Sequence, residues 1–194
     1  MRVAIIGYGL AGRVFHAPLI AATDGLEVAS IVTANPERRA QAAVEHPQAP
    51  IVADVWEGPE PDLIVVATPN DSHAPLATQG IERGVPVVVD KPMALSSREA
   101  AELVELAAQQ QVLLTVFQNR RWDADLLTLR RLMDEDALGE ITRFESRFER
   151  WRPEVEPAKW RDGTPPEQGG GQLLDLGSHL IDQALVLFGL ASHV

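Results

Sequence analysis

The first twelve residues constrain the fold of this chain more than any other segment. A short apolar run, Val3–Ile6, leads directly into Gly7-Tyr8-Gly9-Leu10-Ala11-Gly12, and a segment of helical character continues to Ala22. Glycines at this spacing permit a tight turn from a strand into a helix, a close approach of the backbone to a ligand's phosphates, and close packing of the helix on the strand. This order of strand, glycine turn and helix predicts the opening unit of a Rossmann-type domain that binds a dinucleotide.

Apolar segments of strand length alternate with helical segments as far as Phe117. These segments are hydrophobic at almost every position, which is typical of parallel strands covered by helices on both faces. We therefore predict a doubly wound parallel sheet, of α/β class, over residues 1–118. The further strands are expected at Val28–Val32, Leu63–Ala67, Val85–Val89 and Val112–Phe117, and the further helices at Pro36–Glu45, Ala74–Arg83 and from Ser96 to about Gln110.

The pattern changes over residues 119–194. Helices are expected over residues 122–137 and Gln172–Phe188, and between them Ile141–Trp151 alternates between charged and other side chains. This alternation indicates a strand with one solvated face, as in antiparallel sheets. One strand cannot form a stable sheet by itself. We therefore expect residues 119–194 to be the incomplete start of an α+β domain with an open, mainly antiparallel sheet, which serves substrate binding and oligomerisation.

Composition excludes several classes of protein. The 28 acidic and 17 basic side chains give a formal net charge of −11, which on average repels nucleic acids and anionic membrane surfaces. The chain contains no cysteine, which excludes disulfides, cysteine-ligated zinc and thiol nucleophiles. No apolar run approaches the ~20 residues that a membrane-spanning helix needs. We expect a cytoplasmic protein without nucleic-acid or membrane partners.

The residues after the second strand bear on which dinucleotide is bound. An acidic residue at the strand end would hydrogen-bond the ribose 2′-hydroxyl of NAD, but this chain has Thr33 there. Arg38 or Arg39 can meet a 2′-phosphate, which favours NADP over NAD. The alternative is that both arginines are surface charges of the helix and that Glu37 turns back to the ribose.

Three further motifs carry a family resemblance. Thr68-Pro69-Asn70 with His73 follows one strand, Asp90-Lys91-Pro92 follows the next, and Gly169–Gly171 precede Asp175-Leu176-Gly177-Ser178-His179. With the opening glycines, these motifs resemble the Gfo/Idh/MocA family of nicotinamide-dependent sugar and cyclitol oxidoreductases, in the family's order and over essentially the whole chain. The longer start, Gly7–Pro18, is similar to a branch of that family that contains NADP-dependent scyllo-inositol dehydrogenases.

Lys91 is the first candidate catalytic residue, because it lies at the carboxyl end of a predicted parallel strand, where open α/β sheets bind ligands. An ammonium group there can stabilise developing alkoxide charge; the alternative is a solvated lysine before a proline turn. The family's motif is usually Glu-Lys-Pro, and Asp90 replaces the glutamate.

Asp175 and His179 are four residues apart, which places them on one face of a helix. Without the resemblance, such a pair is more often a pair on a helix surface than a catalytic one. The resemblance implies that His179 is the acid/base and that Asp175 orients the substrate hydroxyl.

The alternative for the segment that contains Asp175 and His179 is a metal site, because Asp182 adds a further carboxylate near these two residues. Lys91 would be an unfavourable neighbour for a cation, so we predict no metal. Trp122 and Trp151 are interpreted as packing residues.

These observations predict an oxidoreductase that transfers a hydride between NAD(P) and a secondary alcohol of a sugar, cyclitol or related polyol. The alternative is a non-catalytic dinucleotide-binding protein or fragment, acting as a sensor or subunit. The full-length form is expected to be a homo-oligomer. The expected cofactor residues are Gly7, Gly9, Leu10, Ala11, Gly12, Thr33, Arg38, Thr68, Pro69, Asn70, His73, Asp90 and Lys91, and the expected substrate residues are Lys91, Asn119, Arg120, Trp160, Arg161, Asp175 and His179.

Overall fold

The structure is a computed structural model that describes residues 1–149, 151, 153–154, 156 and 160–194, with the backbone alone described at 160 and 161. The chain divides into two compact units, Met1–Phe117 and Gln118–Val194. In this described part of the chain, no helix combines the length and apolar character needed to cross a membrane.

The first unit is built on one sheet of six parallel strands in the order β3-β2-β1-β4-β5-β6. The prediction of a doubly wound parallel sheet is confirmed. The third strand was not predicted, because its two residues are too few for a recognisable apolar run. The strands are β1 (Arg2–Ile6), β2 (Glu27–Val32), β3 (Ile51–Val52), β4 (Leu63–Val66), β5 (Val87–Asp90) and β6 (Leu114–Phe117).

Alternate side chains of the strands enter two separate cores. In β1, Ala4 and Ile6 pack on one face of the sheet, while Val3 and Ile5 pack on the other. Helices supply the covering apolar side chains on both faces, which explains why the strands are apolar throughout. The helices of this unit are α1 (Ala17–Ala21), α2 (Pro36–Glu45), α3 (His73–Glu82) and α4 (Ser97–Gln110).

The strand order reverses beside β1, because β2 pairs with one of its edges and β4 with the other. Open α/β sheets bind ligands outside the carboxyl ends of the strands at such a reversal. The glycine turn follows β1 directly at this position, and the Thr68 loop follows β4.

The second unit contains α5 (Ala124–Asp134), α6 (Trp160–Gly163) and α7 (Ser178–Phe188). Residues 141–149 form no strand, so the predicted strand at Ile141–Trp151 has no pairing among the described residues. A strand is held by hydrogen bonds to a neighbour, and no other segment of the described unit supplies one. Packing of the predicted apolar face is nevertheless observed, since the Phe144 ring lies 5.2 Å from that of Phe188. The antiparallel sheet stays a prediction.

The two tryptophans of this unit differ from expectation. Trp122 is 74% exposed and Trp151 is 92% exposed. Their interpretation as packing residues is therefore wrong for this chain.

Candidate functional site

The glycine turn is shaped by close backbone contacts. Gly7 has a φ of +99°, and its N–H donates to the Val32 carbonyl at 2.9 Å. A Cβ on Gly7 would lie 2.3 Å from the Ala67 carbonyl oxygen, and a Cβ on Gly12 would lie 2.0 Å from the Gly7 carbonyl oxygen. Both positions therefore exclude any larger residue, as the spacing of the motif predicts.

The helix after the turn is not the single α-helix expected over Gly12–Ala22. It begins as a π-helical turn, Ala11–His16, in which the Ala17 N–H donates to the Gly12 carbonyl five residues earlier, and continues as α1. Pro18 has no N–H with which to continue a regular α-helical ladder from this turn. Single π-helical turns are frequent at functional sites.

Tyr8 and Arg13 connect the turn to the end of α2 through hydrogen bonds. The buried Tyr8 hydroxyl donates to Glu45 Oε2 at 2.7 Å, and Arg13 donates to both oxygens of the same carboxylate. The hydrogen bonds from Arg13 and Tyr8 lower the pKa of Glu45 to about 2. Burial, followed by the neighbouring Glu45, raises the pKa of the Tyr8 hydroxyl. This network holds the position of the turn through charge-assisted hydrogen bonds.

The two arginines at the start of α2 have different surroundings. Arg39 donates to the carbonyl oxygens of Thr33, Ile51 and Val52 at 3.0–3.4 Å, so its guanidinium caps strand ends. The exposed Arg38 instead points its guanidinium towards the turn, because a Cβ on Gly9 would lie 3.6 Å from Arg38 Nη1. The structure thus separates the two arginines that the sequence left equivalent.

A Cβ on Gly9 would be less closely obstructed than one on Gly7 or Gly12. The three atoms nearest to it would all belong to the flexible end of Arg38, at 3.6–3.9 Å. A glycine leaves this volume to a ligand, and backbone N–H groups at a helix start favour negative charge. Leu10 and Ala11 begin the same turn, with Leu10 66% exposed. Thr33 at the end of β2 is buried.

His73 joins two of the predicted loops. Its Nδ1 lies 2.7 Å from the Pro92 carbonyl oxygen and its Nε2 lies 2.9 Å from the Thr68 carbonyl oxygen. Both partners are carbonyl oxygens, which accept hydrogen bonds. His73 is buried, with 1% of its surface exposed. Its nitrogens hold the loops after β4 and β5 together, beside the buried Asn70.

Asp90 is the last residue of β5, and Lys91 follows it at the carboxyl end of the strand, half-buried and joined to Pro92 by a cis peptide bond. The Asp90 carboxylate lies 2.7 Å from His16 Nε2. No role for His16 was predicted from the sequence. The available signal was a histidine in a helical segment whose neighbours, Ala17 and Ile20, face the core.

In the second unit, the segment Asn119–Trp122 packs on α7. The buried Gln183 donates to the Arg120 carbonyl oxygen at 3.3 Å. The Arg120 side chain donates to Asp123 at 2.8 Å and lies over the Phe148 ring. Arg120 is thus half-buried and partly engaged within its own unit.

Asp175 and His179 lie on consecutive parts of one helix. Asp175 falls in a π-helical turn, Leu173–Gly177, and is half-buried, whereas His179 belongs to α7 and is buried. Both predicted functional segments, Gly7–His16 and Asp175–His179, therefore contain a π-helical turn.

A metal site would require Asp182 to act together with Asp175 and His179, but Asp182 pairs with Arg121 instead. Both of its oxygens accept hydrogen bonds from Arg121, at 2.5 and 2.8 Å, and this contact raises the pKa of Arg121. Within the described residues no group of three or more His, Asp and Glu side chains is placed to hold a metal ion. Trp160 and Arg161 begin α6, and their side chains lie outside the described part.

A parallel sheet of this order, with a glycine turn after β1 at the reversal of strand order, is typical of dinucleotide-binding α/β proteins. Family comparison agrees: residues 1–118 match the oxidoreductase family with an NAD-binding Rossmann fold, and residues 126–194 match the GFO/IDH/MocA C-terminal domain. The chain belongs to the Gfo/Idh/MocA oxidoreductase family.

Individual relatives extend over the whole chain. The uncharacterized oxidoreductase YdgJ of Escherichia coli is 46% identical over 98% of this chain and 54% of its own length. The scyllo-inositol 2-dehydrogenase (NADP(+)) IolW of Bacillus subtilis is 39% identical over 100% of this chain and 53% of its own length. The solved structure of YPO2259 from Yersinia pestis is 46% identical, with a TM-score of 0.86, over 98% of this chain and 53% of that one. The chain thus spans about half the length of these relatives.

Proposed function

We propose that the chain forms the cofactor domain and part of the substrate domain of an NAD(P)-dependent dehydrogenase acting on a secondary alcohol of a sugar, cyclitol or related polyol. The observation that carries this proposal is the position of Lys91 at the carboxyl end of β5, on the sheet edge that also carries the glycine turn. A cation on this edge suits a reaction in which negative charge develops on oxygen. The names of relatives, which include scyllo-inositol and D-glucoside dehydrogenases, support this substrate class.

The glycine turn is proposed to hold the pyrophosphate. Gly7 and Gly12 form the tight turn, and Gly9 leaves space for the phosphates. The nearby loop of Thr68, Pro69 and Asn70 and the end of β5 at Asp90 and Lys91 extend this surface along the same sheet edge. In this proposal Leu10, Ala11 and Thr33 line the phosphate and ribose ends of the same surface, and His73 acts through the loops it joins.

NADP is proposed as the preferred cofactor. Arg38 is exposed and directs its cation towards Gly9, whereas Arg39 is engaged by three carbonyl oxygens. A guanidinium in this position pairs well with a phosphate, because its planar donors match phosphate oxygens. The relative IolW, named as an NADP(+) enzyme, supports the same preference.

The nicotinamide ring supplies the hydride acceptor or donor when the cofactor is bound. In the proposed reaction Lys91 donates a hydrogen bond to the reacting oxygen and stabilises its negative charge. Asp175 orients the substrate hydroxyl, and His179 takes its proton on oxidation and returns it on reduction. Histidine suits this role because its ordinary pKa lies near working pH. Asn119, Arg120, Trp160 and Arg161 are proposed to contact the rest of the polyol.

The proposal is tested on the complete gene product in two stages. Fluorescence titration with NADPH and NADH separately measures which dinucleotide binds more tightly. A panel of sugars and cyclitols is then screened for NADP or NAD reduction. Tighter NADPH binding and reduction with at least one polyol support the proposal. Tighter NADH binding contradicts the cofactor preference, and binding without reduction of cofactor by any polyol favours a binding protein without catalysis.

A further inference from the structure

A buried hydrogen bond joins two elements of the first unit that are distant in sequence. His16 Nε2 lies 2.7 Å from Asp90 Oδ1, and the two side chains are 5% and 15% exposed. The His16 ring also packs on the ring of Phe117, the last residue of β6, with a centroid separation of 4.3 Å. A carboxylate removed from water to this extent requires a hydrogen-bond donor.

The pair connects the glycine turn to the end of β5. His16 is the last residue of the π-helical turn that contains Gly12, and Asp90 immediately precedes Lys91. In the sheet, β4 lies between β1 and β5, so no ladder of backbone hydrogen bonds joins β1 to β5 directly. The contact between His16 and Asp90 spans this gap at the edge where the strands end.

We propose that His16 is a positioning residue that, through Asp90, fixes Lys91 relative to the glycine turn. This inference rests on the proposed function, in which the turn holds the cofactor and Lys91 contacts the reacting oxygen. A lysine side chain has many rotamers, so its placement depends on a firmly held backbone. The buried hydrogen bond at the preceding residue supplies that constraint, and a displacement of about 1 Å at such a group can cost on the order of 10²-fold in rate.

Two substitutions of His16 separate the hydrogen bond from the packing. His16→Phe keeps a ring against Phe117 but removes the donor to Asp90. His16→Gln removes the ring but keeps an N–H donor at a similar distance from the backbone. We expect kcat to fall by about 10- to 100-fold in His16→Phe, with the KM for the dinucleotide nearly unchanged. His16→Gln is expected to stay within about threefold of wild type. A role in packing alone predicts the opposite order and therefore overturns the proposal.

A substitution at the other end of the pair provides a second test. Asp90→Leu removes the acceptor with little change in volume, and we expect it to lower kcat as His16→Phe does. The double variant should be no slower than the slower single variant, because both changes break the same contact. Additive losses contradict the coupling. His193→Phe, an exposed histidine near the end of the described chain, is the matched control.

A readout without turnover uses ADP, which carries a diphosphate but no nicotinamide. Backbone amide spectra should show that ADP shifts Gly9 and Gly12 in both wild type and His16→Phe, but shifts Lys91 in wild type alone. An equal shift of Lys91 in both proteins overturns the proposal. If His16→Phe does not fold, the comparison of Asp90→Leu with wild type decides the same question, and a Lys91 shift that persists in Asp90→Leu overturns it.

The outcomes also separate this inference from the function on which it rests. If wild type binds neither dinucleotide, or if Lys91→Ala has wild-type turnover, the proposed function fails. If both of these tests succeed and His16→Phe has wild-type kcat, only the positioning role fails.

Discussion

His73 Nδ1 lies 2.7 Å from the carbonyl oxygen of Pro92, and this contact joins the segment after β5 to the start of α3. The other ring nitrogen contacts the Thr68 carbonyl, so one buried side chain holds both loops beside the glycine turn. Loops that bind ligands gain precision when buried polar side chains fix their backbones.

Replacement of His73 should therefore destabilise the first unit. His73→Phe fills the space of the ring but removes the contacts with the Thr68 and Pro92 carbonyl oxygens, and we expect a loss of about 1–3 kcal/mol in the free energy of unfolding. Urea denaturation followed by circular dichroism measures this loss. His193→Phe, at an exposed position, should have no comparable effect. Equal stability of His73→Phe and wild type would show that the carbonyl contacts contribute little.

Two glycines of the turn should respond differently to alanine. A Cβ on Gly12 would lie 2.0 Å from a backbone oxygen, whereas the atom nearest to a Cβ on Gly9 would be Arg38 Nη1, at 3.6 Å. We expect Gly12→Ala to lower the melting temperature strongly. Gly9→Ala should melt near the wild-type temperature but bind dinucleotide more weakly, because its methyl group enters the phosphate space. Thermal denaturation and fluorescence titration measure the two effects, and unchanged dinucleotide affinity in Gly9→Ala would contradict the placement of the phosphates.

Arg38 and Arg39 form a matched pair for testing cofactor choice. Arg38→Ala should weaken NADPH binding by about 10- to 100-fold, the loss of a charge-assisted contact, and leave NADH binding nearly unchanged. Arg39→Ala should instead lower stability, because Arg39 donates to carbonyl oxygens at the strand ends. Separate titrations with the two dinucleotides provide the measurement. An equal loss for NADPH and NADH in Arg38→Ala would contradict recognition of the 2′-phosphate.

Lys91→Ala and His179→Ala test the proposed chemistry. Each should lower turnover by about 10²–10⁴-fold, as is typical of acid/base groups, while the Kd for the dinucleotide changes little. Steady-state kinetics on the complete gene product, paired with fluorescence titration, distinguish chemistry from binding. Wild-type activity in His179→Ala would exclude this residue as the acid/base. Gln183→Ala, a change at a neighbouring buried residue of α7, controls for a general disturbance of that helix.

The Glu45 contacts predict how stability depends on pH. The pKa of Glu45 is lowered from an ordinary value of 4.5 to about 2, chiefly by Arg13. A lowered pKa in the folded state stabilises the protein above about pH 4.5, and this contribution is lost as pH falls towards 2. Glu45→Gln should therefore be less stable than wild type at pH 7. Its free energy of unfolding should also fall less steeply than that of wild type between pH 4.5 and 2. Urea denaturation at several pH values measures both slopes, with the exposed Glu82→Gln as control. Parallel curves for Glu45→Gln and wild type would contradict the pKa shift.

Local spacing was sufficient to predict the glycine turn, because its main constraints act between near neighbours. Within the strand-turn-helix unit, Gly7 is required by its positive φ, and Gly12 is required by its contact with the Gly7 carbonyl oxygen. The boundaries of α2 agree with the predicted Pro36–Glu45, because Pro36 favours the first position of a helix. The π-helical turns at Ala11–His16 and Leu173–Gly177 were not predicted, because the pattern of apolar residues alone does not distinguish them from an α-helix.

The sequence by itself determined the parallel sheet, the glycine turn and the identity of the chemical groups that follow each strand. These features depend on hydrophobic periodicity and on the steric demands of single residues. Only the tertiary structure decided that Arg38 rather than Arg39 faces the turn, that His73 joins two loops, and that His16 contacts Asp90. These pairings connect residues on different elements, and side-chain partners across elements depend on packing, which a one-dimensional pattern does not record.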